Sequence, residues 1–102
     1  MSTEGQRRSK RQEKRLAADV GGRRTAGSGN GWAVKNDVRN DRWSIEAKTT
    51  ERRSYSLRLD ALKQAEKHAL LDGREMAFCV EIAGESFVVV TYDTFRHLFP
   101  QE

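Results

Sequence analysis

The sequence predicts a mixed α/β domain, a β-sheet with helices packed on it. Two periodicities point there. Apolar residues recur at helical spacing over 59–71, and they alternate or run together in short stretches over 33–38, 43–50, 75–82 and 86–92. Polar or glycine-rich clusters separate these stretches. A chain of 102 residues has room for one domain. Its 33% of charged residues is high, but the 36% that are hydrophobic are clustered, so the chain reads as globular. One domain is expected over 7–102, after a polar, disordered start at 1–6.

The first helix is expected from about Arg7 to Asp19, where good helix formers run without Gly or Pro and Gly21-Gly22 gives a stop. Residues 23–32 read as a loop, with Gly27, Ser28, Gly29 and Gly31 among basic residues. Ala33–Val38 and Trp43–Thr50 read as a hairpin with a polar apex at 39–42. A second polar turn, Glu51-Arg52-Arg53-Ser54, leads to a helix over Leu59–Leu71. Leu59, Leu62, Ala65 or Glu66, Ala69 and Leu70 form its apolar stripe, and Gly73 closes it. Glu75–Ile82 and Ser86–Tyr92 are expected strands around a turn at 83–85. Val88-Val89-Val90 lacks alternation, which predicts burial on both faces. Asp93 is expected to cap a last helix, Thr94–Phe99, closed by Pro100; its apolar face predicts core packing or a dimer contact.

Charge is unevenly spread. Residues 1–24 hold eight basic side chains (Arg7, Arg8, Lys10, Arg11, Lys14, Arg15, Arg23, Arg24) against Glu4, Glu13 and Asp19, a net of +5. The rest holds 11 basic and 12 acidic residues, a net of −1. Concentrated positive charge is the footprint of a polyanion binder, or else a solvated basic helix. The single cysteine, Cys79, allows no disulfide within the chain. No apolar stretch is long enough to span a membrane, and the basic start lacks an apolar signal core. A cytoplasmic location is expected, in a bacterial or archaeal cell or in a host cell if the source is viral.

Several chemistries lack their residues. One Cys with His68 and His97 far apart does not make a zinc site. There is no nucleophile-elbow motif, and no GKS or GKT to cradle phosphate. What remains is Asp37 followed by Glu46-Ala47-Lys48. In a strand, Glu46 and Lys48 project to one face, while Trp43, Ile45, Ala47 and Thr49 project to the other. If the hairpin brings Asp37 beside Glu46, two carboxylates and an ammonium converge. That is a hard-oxygen site for Mg²⁺, suited to phosphodiester hydrolysis. Glu13 stands alone in the basic run, tilted toward the core side, where an ion pair with a nearby Arg is the plainer reading.

Glu13, Ser28 in its Gly-rich loop, Lys35-x-Asp37-Val38, Ile45-Glu46-Ala47-Lys48-Thr49, an amphipathic helix and two apolar strands together resemble the PD-(D/E)XK nuclease superfamily. Within it the pattern is similar to the small Holliday-junction-resolvase-like endonucleases of archaea and phages, over roughly residues 8–92. The resemblance implies a restriction-endonuclease-like core, a central mixed sheet of about five strands flanked by helices in αβββαβ order. It implies that Asp37, Glu46, the Ala47 carbonyl and Glu13 hold Mg²⁺ or Mn²⁺, and that Lys48 orients the attacking water and stabilises charge on phosphate. Ser28 and Lys35 would contact the scissile phosphate region. Arg11, Arg15, Arg23, Arg24, Arg52 and Arg53 would grip flanking DNA. Asn36 departs from the family pattern, which often has Pro or Gly before the Asp. The implied protein is a homodimeric endonuclease on four-way junctions, in recombination, repair or phage DNA processing. A non-catalytic nucleic-acid-binding module of the same fold, and a nicking or restriction-like nuclease on linear DNA, are the alternatives.

Overall fold

The computed structural model describes residues 3–25 and 35–101. Helix α1 spans Glu4–Asp19. A capping box starts it: the Thr3 hydroxyl accepts from Gln6 N–H at 3.1 Å, and Gln6 Oε1 accepts from Thr3 N–H at 2.8 Å. Residues 4–6, expected to be disordered, therefore belong to the helix. At the other end Gly21 adopts φ +62° and Gly22 N–H reaches back to the Ala17 carbonyl at 2.9 Å, a glycine-terminated cap. Gly22 has a second role. A Cβ there would lie 2.4 Å from the Arg39 carbonyl, so only glycine lets the chain pass this close.

Five strands follow: β1 (Arg23–Arg24), β2 (Val38–Arg39), β3 (Trp43–Thr50), β4 (Glu75–Ile82) and β5 (Glu85–Val89). Helix α2 (Leu59–Leu71) joins β3 to β4, and α3 (Tyr92–Arg96) follows β5. The sheet order is β1-β2-β3-β4-β5. Its centre is parallel: β3 and β4 pair from Trp43↔Glu75 to Thr50↔Ile82, with α2 as the crossover. All other pairs are antiparallel. This is the mixed five-stranded sheet with flanking helices that the resemblance implied.

Two small cores lie on opposite faces of the sheet. Against α1, Ala17 meets Val38, Ile45, Ala77 and Cys79, with Leu16, Val20, Trp43 and Val90 packed around them. Against α2, Ala65 and Ala69 meet Met76 and Phe78, with Tyr55, Ala61, Leu62 and Val89 around them. The period of two in β4 explains the division: Ala77 and Cys79 face α1 while Met76 and Phe78 face α2. A central strand covered on both faces needs apolar residues at both parities, and Met76-Ala77-Phe78-Cys79-Val80 supplies them.

The structure differs from expectation at several places. Arg23–Arg24, expected in a loop, form a short strand that pairs with Arg39 and Val38. The strand expected over 33–38 is β2, only Val38–Arg39, and residues 33 and 34 lie outside the described residues. Of the expected α2 stripe, Leu59 and Leu70 are exposed, because small Ala65 and Ala69 make the close contact with the sheet. Val88 is 60% exposed rather than buried, since β5 is an edge strand. The last helix starts at Tyr92, capped by the Thr91 hydroxyl accepting from Thr94 N–H at 3.0 Å, so Thr91 and not Asp93 is its cap.

Candidate active site

The site is built where β3, paired with β4 along its whole length, runs past the end of its short antiparallel pairing with β2. Asp37 stands one residue before β2 and is held on three sides. Its N–H donates to the Ile45 carbonyl at 2.9 Å, and its carbonyl accepts from Thr25 N–H at 2.8 Å. Its carboxylate Oδ2 accepts from Ala47 N–H at 2.9 Å. The ladder thus continues one residue past β2 and turns the Asp37 side chain along β3.

Glu46 meets it there. The Glu46 carboxyl is pushed up to about 8, first by burial and then by a hydrogen bond and repulsion from Asp37; Lys48 opposes this and Glu13 adds to it. Lys48 Nζ lies 3.9 Å from Glu46 Oε2, and its side chain remains exposed. The structure therefore brings Asp37, Glu46 and Lys48 together, with Glu13 close enough for its charge to register. Glu13 Oε1 also accepts from Arg24 Nε at 3.2 Å, the ion pair that its setting among arginines anticipated.

Two buried polar side chains that sequence reasoning did not single out as positioning groups hold this arrangement. Gln12 is 2% exposed and donates from Nε2 to the Lys48 carbonyl at 2.7 Å. This bond ties α1 to β3 and sets the helix register that turns the next residue, Glu13, toward Glu46. Asn36, read from sequence only as a turn residue, is 1% exposed. Its Nδ2 donates to Ser44 Oγ at 2.9 Å and to the Ala65 carbonyl at 3.0 Å. It thereby locks the residue before Asp37 to both β3 and α2. The signal for both was a polar residue at a position where the apolar pattern required burial.

The donor set fits a hard divalent cation. Carboxylate oxygens are its preferred ligands, and a paired acid with one member forced toward its neutral form is relieved by positive charge between the two. Among the described residues no three His, Cys, Asp or Glu side chains already form a cage. The pair Asp37–Glu46 is the nucleus of the site, and the Glu13 carboxylate is engaged by Arg24.

The basic side chains divide into two groups. On α1, Arg8, Arg11 and Arg15 line an open groove with Thr49, Thr50, Glu51 and Glu81. Arg8 pairs with Glu51, Arg11 with Glu4 and Arg15 with Glu81. Arg23, Lys35, Arg52 and Arg53 are exposed, and Arg24 holds Glu13. Ser28 lies outside the described residues. Among the described residues no helix is long and apolar enough to cross a membrane.

An α-helix leading into a mixed sheet whose parallel centre is joined by a crossover helix, with an acid pair at the β2–β3 hairpin, is the restriction-endonuclease-like arrangement. The chain is similar to the solved structure of Hjc, a Holliday junction resolvase from the archaeal hyperthermophile Archaeoglobus fulgidus. The TM-score is 0.62 and the identity 22%, over 78% of this chain and 73% of that one. At this identity the likeness carries the fold. No family model matches the chain, and no curated protein matches it in sequence.

Proposed function

We propose that this chain is a divalent-metal-dependent endonuclease of the PD-(D/E)XK type that hydrolyses phosphodiester bonds in branched DNA. The observation that carries the reading is the Asp37–Glu46 carboxylate pair with Lys48 beside it, on a fold shared with a junction resolvase. Asp37 and Glu46, with the Ala47 carbonyl, would hold Mg²⁺ or Mn²⁺, and Glu13 would join them once released from Arg24. The bound ion would supply Lewis-acid polarisation of the phosphate and a more acidic water. The chain's own residues do the rest. Lys48 hydrogen-bonds and orients the attacking water and places positive charge where the phosphate gains negative charge. Asn36 and Gln12 keep the acid pair and Lys48 in register. Lys35, two residues before Asp37, and Ser28 would contact the scissile phosphate region. Arg11, Arg15, Arg23, Arg24, Arg52 and Arg53 contact flanking backbone, giving affinity that falls with salt.

A second reading has its own support: the ion pairs of Glu46 with Lys48 and Glu13 with Arg24 are what a binding module of the same fold would keep. The deciding experiment incubates the protein with a synthetic four-way junction and a matched linear duplex, in Mg²⁺ and in Ca²⁺. Cleavage of the junction in Mg²⁺, absent in Asp37→Asn although that variant still binds, is the expected result. Cleavage of the linear duplex at the same rate would replace the junction with a nicking or restriction-like substrate. Binding without cleavage, and without a saturable Mg²⁺ or Mn²⁺ site, would establish the module.

A further inference from the structure

The apex of the β2–β3 hairpin, the turn after α1 and the residue before β4 border an open cleft of about 310 Å³ in which neither member of the acid pair takes part. Three arginines line it, Arg23, Arg39 and Arg74, with Asn40, Asp41 and the glycine stop Gly21-Gly22. Two of these arginines are cross-strand neighbours. Arg23 of β1 pairs with Arg39 of β2, and directly opposite residues of an antiparallel ladder project to the same face. Like charges placed this way are destabilising on their own. The chain is nevertheless built to make the pair: Gly22 omits a Cβ so that the segment lies against the Arg39 carbonyl.

Donors outnumber acceptors here. Arg39 and Arg74 are each only 22% exposed, and both lean on one carboxylate, that of Asp72. Arg39 Nη1 donates to Asp72 Oδ1 at 3.2 Å and to Oδ2 at 3.1 Å, and Arg74 Nη1 lies 3.0 Å from the same Oδ2. Arg74 also donates from Nε to the Asn40 carbonyl at 2.6 Å and from Nη1 to the Asp72 carbonyl at 3.0 Å. Among the described residues Nη2 of neither guanidinium has an acceptor, and Arg39 Nε is buried without one. Arg23 is exposed and has no ion pair among the described residues, and the same holds for Asp41. Three guanidiniums against the carboxylates of Asp41 and Asp72 leave one positive charge over. A surplus cation beside half-buried, underused N–H donors calls for an anion. Donors that arrive from three separate segments suit a tetrahedral oxyanion better than a planar carboxylate, and the guanidinium fork matches phosphate oxygens.

We propose that this cleft binds a single phosphate group, at a site separate from the acid pair. The phosphate sits between Arg23 and Arg39, where it offsets their mutual repulsion, and takes a further bond from Arg74 Nη2. Asp72 anchors the two half-buried guanidiniums from behind. A DNA backbone and a free phosphate or phosphate ester present the same chemistry to it. The assignment rests on charge and placement alone and does not require the acid pair to hydrolyse anything.

Replacing chloride stepwise with inorganic phosphate at fixed ionic strength, on the full chain and without metal, tests it. The Nε–H cross-peaks of Arg23, Arg39 and Arg74 should move together and saturate in the millimolar range. Arg39→Gln should weaken phosphate binding at least about 10-fold. Should that variant fail to fold, two exposed positions give the same reading with opposite signs. Arg23→Gln should weaken binding about 2- to 5-fold, and Asp41→Asn, which removes the opposing carboxylate, should tighten it by about the same factor. Cross-peaks that drift without saturating, or Arg23→Gln and Asp41→Asn proteins that bind phosphate as wild type does, would overturn the proposal. A short duplex then identifies the source. Movement of the same cross-peaks by the duplex, reversed by inorganic phosphate, assigns the site to the DNA backbone; phosphate binding that the duplex leaves undisturbed assigns it to a free phosphate. Cleavage is scored separately. A chain that cuts DNA without a saturable phosphate shift defeats this site alone, and a saturable shift in a chain that does not cut defeats the nuclease alone.

Discussion

Replacing Glu46 with Gln should stabilise this protein, and more so as the pH rises. In the folded chain the Glu46 carboxyl is pushed from an ordinary 4.5 to about 8 by burial and by Asp37. Below pH 4.5 the group is protonated whether the chain is folded or not, and it contributes nothing. Between 4.5 and about 8 the unfolded chain loses this proton and the folded chain keeps it, so the folded state loses stability continuously. Above 8 the loss is complete. At about 1.36 kcal/mol per pKa unit the ceiling is on the order of 5 kcal/mol. The side chain is 24% exposed, which screens part of the repulsion, and a buried Gln amide must still find partners. The expected gain for Glu46→Gln is therefore about 2 kcal/mol at pH 8.5 and near zero at pH 5. Urea unfolding of both proteins at the two pH values measures it, and contributions from the other carboxylates cancel in the difference. A Gln variant with the same advantage at pH 5 and 8.5, or with none, would refute the electrostatic account of the pair. Mg²⁺ offers a second check. At about 100 times its dissociation constant, a ligand that binds only the folded state adds about 2.7 kcal/mol, so Mg²⁺ should raise the wild-type midpoint and leave Glu46→Gln nearly unmoved.

Asn36→Ala removes two hydrogen bonds at a 1%-exposed position and leaves the Ala65 carbonyl without its side-chain donor; a loss of about 1–3 kcal/mol in urea unfolding is expected, with weaker Mg²⁺ binding by calorimetry. Gln12→Met keeps the volume but abandons the Lys48 carbonyl, so stability should fall by about 1–2 kcal/mol. If cleavage is present, kcat should fall in this variant while DNA affinity stays the same, which a filter-binding titration beside the rate assay would show. Arg11→Ala combined with Arg15→Ala should reduce the slope of log binding constant against log salt by roughly one per lost phosphate contact, for junction and duplex alike. An unchanged slope would remove the α1 groove from the DNA surface.

The legible parts of the fold were those where one periodicity dominates. The bounds of β3, α2 and β4 follow from sequence because each buries a whole face against a neighbour, and the pattern records that burial. β1 was not legible: two arginines become a strand only because Gly22 lets them approach β2. Exposure of Val88 was misread because a triple-valine run has the same composition at an edge as in a centre, and only the sheet order tells them apart. In the site, the alternation of β3 was enough to project Glu46 and Lys48 together. Placing Asp37 beside them needed the hairpin register, which rests on backbone bonds from Asp37 to Ile45 and Thr25 that no local pattern encodes. Gln12 and Asn36 stood at positions where the apolar pattern required burial, but what they position could not be read locally because their partners, Lys48 and Ala65, lie 36 and 29 positions away.

The hydrogen bond from the Ala47 amide to the Asp37 carboxylate gives the site a built-in spectroscopic probe. A backbone N–H held by a carboxylate oxygen at 2.9 Å is shifted downfield of an ordinary strand amide, and its shift follows the electron density on that oxygen. Whatever draws charge from Asp37, whether a proton, a cation or a neighbouring guanidinium, is written into a single nitrogen–proton cross-peak. Ala47 sits in the parallel ladder opposite Cys79, near the middle of the sheet, so its amide should exchange slowly with solvent and remain observable across a titration. The occupancy of the acid pair can then be followed residue by residue in solution without substrate and without turnover.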